Sequence, residues 1–189
     1  MIAGNKHGAG APSHAAYYRS SNGTLFSTHN DYMTPRTAWE SIVNLIPSHH
    51  KFIWESAYGD GQSGRDLAEL LPDKTVIQRK IDYFEDPPPD YDIEITNIPF
   101  EKSKEWMTKA KERGKPFIII MPTGKLITQY FRQLFSGEKI QIVIPRKRIH
   151  FKKLVNGVVP DGWKNACCFD CFYYCWKIGL PDDIVWLNN

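Results

Sequence analysis

The chain has 189 residues, 42% hydrophobic and 24% charged, the balance of one globular domain long enough to bury a real core. Its formal charge is only +3, and no apolar run approaches the ~18 residues of a membrane span, so no transmembrane protein is expected. Residues 1–30 lack the apolar centre of a signal peptide, and a cytoplasmic location is expected by default.

In chain order, residues 1–30 are polar and aperiodic, and predict a flexible N-terminal arm ahead of one domain over 31–189. In "DYMTPRTAWESIVNLI" (31–46), Thr34 before Pro35 reads as an N-cap followed by proline at the first helical position. Trp39, Ile42, Val43 and Ile46 recur at helical spacing until Pro47. "KFIWES" (51–56) predicts a strand, "AYGDGQSG" (57–64) a turn, and "RDLAELL" (65–71) a helix ended by Pro72. "KTVIQRKI" (74–81) predicts the next strand; after the acidic, proline-rich 82–92, "IEIT" (93–96) predicts another. "EKSKEWMTKAKERG" (101–114) is a helix closed by Gly114, and "PFIIIMP" (116–122) is a strand buried on both faces. "GKLITQYFRQLF" (124–135) is a further helix, and "KIQIVIP" (139–145), "RIHF" (148–151) and "CCFDCFYYCWKI" (167–178) are late strands. Strands alternating with helices predict an α/β fold with a mostly parallel sheet. The helix-free final stretch predicts an antiparallel strand pair at the C-terminal end.

All four cysteines lie in "CCFDCFYYC", where Cys168 and Cys171 form a CxxC. Zinc ribbons need a second ligand pair that this sequence lacks, so no metal is expected. In a strand, Cys167, Cys171 and Cys175 share one face and read as small buried hydrophobes. "RKRIHFKK" concentrates Arg146, Lys147, Arg148, Lys152 and Lys153 around His150. That segment is either a phosphate-contacting, nucleic-acid-binding surface or a charged edge that resists aggregation.

In open α/β sheets, ligands bind outside the carboxyl ends of the strands. The first strand delivers "ESAYGDG" (55–61), where Gly59 and Gly61 permit a tight turn and Glu55 can hold a positive group. The strand at 93–96 runs into Asn97, Ile98, Pro99 and Phe100. An amide, a proline and an aromatic ring suit a flat base with an exocyclic amine, and also an ordinary loop.

Taken in order, these motifs resemble those of class I S-adenosylmethionine-dependent methyltransferases of the amino class. "ESAYGDG" resembles their Glu-Pro-Ser-Ala-Gly-Asp-Gly loop, without the proline and with Tyr58 inserted. "YMTP" (32–35) resembles their Tyr-x-Thr-Pro element, and "DYF" (82–84) their Asp-Phe-Phe element. "NIPF" (97–100) resembles their Asn-Pro-Pro-aromatic motif, with Ile98 replacing the first proline. "ACCFDC" (166–171) matches the Ala, Phe and Asp of an Ala-Ser-Phe-Asp-Ser stretch of phage and viral adenine-N6 DNA methyltransferases, and the resemblance covers roughly 31–178.

The resemblance implies a Rossmann-like class I methyltransferase fold with S-adenosylmethionine as cofactor. It implies cofactor binding by Tyr32, Thr34, Pro35, Glu55, Ala57, Gly59, Gly61, Asp82 and Phe84. The glycine turn would underlie the methionine part, Glu55 the ammonium, the helix start after Thr34 the carboxylate, and Asp82 with Phe84 the adenine. Lys80 stands where the family places an acid for the ribose hydroxyls. Asn97, Ile98, Pro99 and Phe100 would be catalytic: the Asn97 oxygen and Ile98 carbonyl accept the amine hydrogens of a flipped adenine, and Phe100 stacks on the base.

The implied activity is adenine-N6 methylation of DNA, in the cytoplasm of the host cell for a viral chain. The chain has little room for target recognition, which implies weak sequence specificity or a protein partner that supplies it. Two alternatives stay open. One is a catalytically degenerate relative serving as a binding or structural module, favoured by Ile98, Lys80 and the missing proline. The other is a methyltransferase acting on RNA or a protein amide. All versions require the glycine turn and the "NIPF" segment to border one cleft.

Overall fold

A computed structural model describes residues 32–153 and 169–188, plus the backbone of two short antiparallel strands, β1 (Tyr18–Arg19) and β2 (Leu25–Phe26). The arm expected over 1–30 otherwise lies outside the described residues, as do Cys167 and Cys168. The remaining elements, in order, are β3 (Tyr32–Met33), α1 (Arg36–Glu40), β4 (Phe52–Glu55), α2 (Gln62–Leu70), β5 (Thr75–Gln78) and β6 (Ile93–Asn97). They continue with α3 (Ser103–Arg113), β7 (Phe117–Pro122), α4 (Gln129–Phe135), β8 (Ile140–Ile144), β9 (Lys152–Lys153), β10 (Cys171–Trp176) and β11 (Ile184–Trp186). No helix among the described residues is long and apolar enough to cross a membrane.

A seven-stranded sheet in the order β11-β8-β10-β7-β6-β4-β5 forms the centre, with β3 and β9 paired separately. The expected α/β class with a mostly parallel sheet is what the chain adopts. The antiparallel pairing expected near the C-terminus is made by β10, which inserts between β7 and β8 and opposes both. Alternation divides each strand between two cores. On β7, Ile118 and Ile120 join Trp39, Ile42 and Leu67 of the α1–α2 side. Phe117, Ile119 and Met121 join Trp106, Met107, Phe131 and Phe135 of the α3–α4 side. This is why "FIIIMP" reads as continuous apolar sequence: both faces are covered by helices.

Several element boundaries differ from expectation for local reasons. Pro35, in extended conformation, is itself the residue before α1, and no side chain caps that helix, so Thr34 does not act as an N-cap. The helix expected from 124 begins only at Gln129, because the Thr128 hydroxyl accepts the Phe131 amide at 3.4 Å. "RIHF" is not a strand. The chain bends at Arg146–Lys147, Arg148 turns to Asp170, and pairing starts at Lys152. Cys171 and Cys175 lie with Tyr173 on the α1–α2 face as expected, and burial pushes the Cys175 thiol up, which makes it inert. The unexpected strand β11 exists because Gln141, buried in β8, grips the loop before it. Its amide donates to the Leu180 and Asp182 carbonyls, each at 2.8 Å, and its oxygen accepts from Leu180 N at 2.9 Å.

Helix α2 lies against β5 at a glycine. A Cβ on Gly64 would sit 2.2 Å from Gln78 Oε1 and 2.9 Å from Gln78 Cβ, closer than any packed side chain tolerates. Gly64→Ala is therefore expected to destabilise the fold by ~1–3 kcal/mol, the usual cost of overpacking, and to pull the Gln78 amide from its partners. Urea unfolding measures this, and an unchanged midpoint would show that α2 can shift freely.

Candidate functional site

Strand β4 pairs in parallel with β5 on one side and β6 on the other. The chain leaves β4 towards β5 but leaves β6 towards β7 on the other side, which opens a crevice between the carboxyl tips of β4 and β6. A cavity of about 420 Å³ lies there, within the ~300–1,000 Å³ of small-molecule pockets. Tyr32, Thr34, Glu55, Ala57, Gly59, Asp82, Phe84, Asn97, Ile98, Pro99 and Phe100 all line it. The glycine turn and the "NIPF" segment thus border one cleft. Gly59 and Gly61 both take left-handed φ, +52° and +78°, as the turn between β4 and α2 requires. Gly61 and Pro35 begin α2 and α1 just behind the wall, and Lys80 is exposed outside it.

Glu55, at the tip of β4, is fully buried. Its Oε1 accepts the Thr96 hydroxyl at 2.9 Å, and Thr96 Oγ1 in turn accepts the Ala57 amide at 3.1 Å. Its Oε2 accepts the Gln78 side-chain amide at 2.5 Å. Loss of water outweighs these bonds, and with Glu94 nearby the carboxyl is pushed up to about 8. Asp82 behaves oppositely: it is exposed, and the backbone amides of Phe84 and Glu85 hold its carboxylate below the usual range. The cavity thus carries an acid poised near neutrality at its floor and a firmly ionised one at its rim.

Asn97 ends β6 inside the cavity. Its Nδ2 donates to the Tyr32 carbonyl at 3.2 Å, which fixes the amide plane, while its Oδ1 is buried and has no hydrogen-bond partner. A buried acceptor left unsatisfied costs ~1–3 kcal/mol, a cost that a hydrogen-bond donor reaching it would remove. The Ile98 side chain packs into the α3–α4 core with Tyr83 and Trp106, away from solvent. Phe100 stacks near-parallel on Tyr32 (centroids 6.1 Å, 25°), and Phe169 stands edge-on to both at 5.5 Å. Phe151 completes this ring cluster beside the Asn97 amide.

The basic segment divides. Arg148 pairs with both oxygens of Asp170 at 2.7 and 2.8 Å, and Arg146 donates to the Asn188 carbonyl at 2.9 Å. Those two arginines fasten the segment to the sheet. Lys147 and Lys152 are exposed, and Lys152 is the register partner of Met33, which lines the cavity. The side chain of Lys153 lies outside the described residues.

Sequence reasoning passed over several residues of this site. Ser56, Asp60, Ser63, Tyr83, Lys102 and Trp106 also line the cavity, and Gln78 reaches Glu55 from β5. Glu94 lies beneath it, fully buried in β6. One signal for Glu94 was legible: a carboxylate inside "IEIT", a strand otherwise apolar enough to be central.

No family model and no curated protein matches the chain. Among solved structures, similarity extends to a dimethyladenosine transferase from Plasmodium falciparum (11% identity, TM-score 0.45), over 76% of this chain and 62% of that one. It extends to the methyltransferase subunit of a type I restriction-modification system from Streptococcus thermophilus (9%, TM-score 0.47), over 82% and 47%. It also extends to human N-acetylserotonin methyltransferase in complex with SAM (11%, TM-score 0.45), over 75% and 53%. The chain spans less than two thirds of the length of each of these structures. Similarity at this level concerns the fold alone.

Proposed function

We propose that the chain is an S-adenosylmethionine-dependent methyltransferase acting on the N6 amine of adenine in DNA. The observation that carries this is the unpartnered, buried Oδ1 of Asn97, a residue that lines the same cavity as the glycine turn. The residues present fit the cofactor: Glu55 at the floor suits an ammonium, the turn at Gly59 allows close backbone approach, and Asp82 with Phe84 offers an acceptor and a ring. Bound there, the cofactor supplies an electrophilic sulfonium methyl.

The chain's own part is positioning and polarisation. Asn97 Oδ1 accepts one amine hydrogen of the base, and the Tyr32 carbonyl keeps that oxygen aimed by holding Nδ2. The Ile98 carbonyl serves the second hydrogen; Pro99, at φ −60° and ψ 115°, keeps the turn extended. Two acceptors draw the amine lone pair out of the ring and leave it free to attack. Phe100 and Tyr32 supply the stacking surface for a base taken out of its helix, and Lys152 at the rim contacts phosphate.

A second reading, a methyltransferase fold without catalysis, is favoured by one observation. The Gln78 amide donates to Glu55 Oε2 at 2.5 Å and to the Tyr58 carbonyl at 3.4 Å, occupying acceptors that a cofactor ammonium needs. Calorimetry with S-adenosylmethionine, followed by methyl transfer to adenine-containing DNA and RNA oligonucleotides, separates the two. Binding with transfer to DNA supports the enzyme, transfer to RNA alone reassigns the substrate, and no binding at millimolar cofactor leaves the second reading. Lys152→Ala is expected to weaken DNA binding equally across sequences and to reduce the slope of log affinity against log salt by ~1. An unchanged slope removes Lys152 from the interface.

A further inference from the structure

Glu94 sits in the centre of the sheet, 1% exposed, and beyond its field on Glu55 it has no role in the chemistry above. A carboxylate in such a place is costly unless every oxygen is satisfied, and an apolar residue of similar volume is often no less stable. Its partners explain it. Oε1 accepts from the Ser56 hydroxyl at 2.6 Å and the Trp106 indole at 3.2 Å, and Oε2 accepts from the Tyr83 hydroxyl at 3.2 Å. Ser56, Tyr83 and Trp106 all line the cavity from three different elements: the turn after β4, the segment between β5 and β6, and α3.

The segment between β5 and β6 contains no strand or helix, and its far end is tied to β4 by Asp92, whose amide donates to the Phe52 carbonyl at 2.8 Å and whose carboxylate accepts the Lys51 and Phe52 amides. Tyr83 fastens the end that lines the cavity. Its ring stacks on Trp106 (3.7 Å, 15°) and on Trp54 (5.5 Å, 20°). The Arg113 guanidinium lies over that ring at 4.0 Å and donates to the Tyr83 carbonyl at 2.6 Å. Asp82 and Phe84, the immediate neighbours of Tyr83, form one side of the cavity, so whatever holds Tyr83 also places them.

We infer that Glu94 is a positioning residue that latches the 79–92 segment through Tyr83 and Trp106 and so sets the affinity of the cavity for its cofactor. The cofactor half of this inference rests on the methyltransferase reading; the latch does not. Glutamine keeps part of the latch: its oxygen accepts from Ser56 and Trp106 and its amide donates to the Tyr83 oxygen, but the Tyr83 hydroxyl loses the acceptor it had in Oε2. Leucine leaves all these donors without an acceptor.

The test compares the full-length chain with Tyr83→Phe, Glu94→Leu and Glu94→Gln by two measurements. Amide hydrogen exchange over 79–92, without any ligand, reads the latch; calorimetry with S-adenosylhomocysteine reads the cavity. Tyr83→Phe is expected to speed exchange in that segment and weaken binding about tenfold, as for one lost hydrogen bond, and Glu94→Leu by more, because three donors lose their acceptor. Glu94→Gln, which keeps one bond to the Tyr83 oxygen, is expected to fall between wild type and Tyr83→Phe in both. If Glu94→Leu fails to fold, Tyr83→Phe and Glu94→Gln decide. Wild-type exchange and affinity in Tyr83→Phe overturn the inference, as does a Glu94→Gln chain as impaired as Tyr83→Phe. A wild-type chain that binds no S-adenosylhomocysteine, while Tyr83→Phe still loosens 79–92, removes the methyltransferase reading and the cofactor half but leaves the latch.

Discussion

Asn97→Ala is expected to lower methyl transfer to adenine by ~10²–10³-fold, the usual effect of deleting one preorganised polar group at a reacting centre. S-adenosylmethionine binding should stay near wild type, because the residues proposed for the ammonium, the adenine and the turn lie on other elements. The alanine deletes the acceptor that is buried and unpartnered in the ligand-free site, so the unfilled demand on Oδ1 disappears. The folded chain should therefore lose little stability, only the 3.2 Å bond from Nδ2 to the Tyr32 carbonyl. Asn97→Asp provides a sharper comparison. It keeps an acceptor in place of Oδ1 but puts a second one against the Tyr32 carbonyl, which repels it and swings the side chain off line. An intermediate rate, above alanine and below wild type, is the expected result. Single-turnover methylation of an adenine oligonucleotide at saturating cofactor checks both, and full turnover in Asn97→Ala means the amine acceptor lies elsewhere.

Much of the architecture was legible because the two periodicities were strong. "FIIIMP" and "KIQIVIP" could only be strands, and the "SKEWMTKAKER" helix ends at Gly114 with φ +70° as its sequence indicates. What escaped was non-local. Thr34 looks like a cap by its neighbours, yet Pro35 takes that place because the chain arrives extended from the β3–β9 pair. Strand β11 is only "IVW", and its cause is a buried glutamine forty-odd residues earlier. The site followed the same rule. Residues announced by a local motif, such as Gly59 or Asn97, were visible. Gln78, Trp106 and Glu94 carry no motif, Tyr83 is the unassigned middle residue of "DYF", and their relation to the cavity exists only once separate strands are side by side.

Glu55→Gln is the second large-effect prediction, and its two parts have opposite signs. In the folded chain the Glu55 carboxyl is raised from the usual 4.5 to about 8, chiefly because it has lost its water. Between those pH values the folded protein holds a proton that the unfolded chain has released. Stability is therefore full below pH 4.5 and falls as pH rises towards 8, by at most ~5 kcal/mol from this group. Glutamine carries no charge to desolvate, so the variant should lose this contribution and be the more stable chain at pH 8 by several kcal/mol. Urea titrations at pH 5, 6.5 and 8 measure it, and parallel pH profiles for the two proteins would contradict it. Cofactor affinity should move the other way. An ammonium drives Glu55 to ionise, so wild-type affinity for S-adenosylmethionine should rise up to tenfold per pH unit below about 8 and flatten above it. Glu55→Gln should bind at least tenfold more weakly at pH 8, with no such rise. A carboxylate that burdens the empty protein and is relieved by a cation is what a binding residue looks like in energetic terms; a purely structural one would give stability and affinity changes of the same sign.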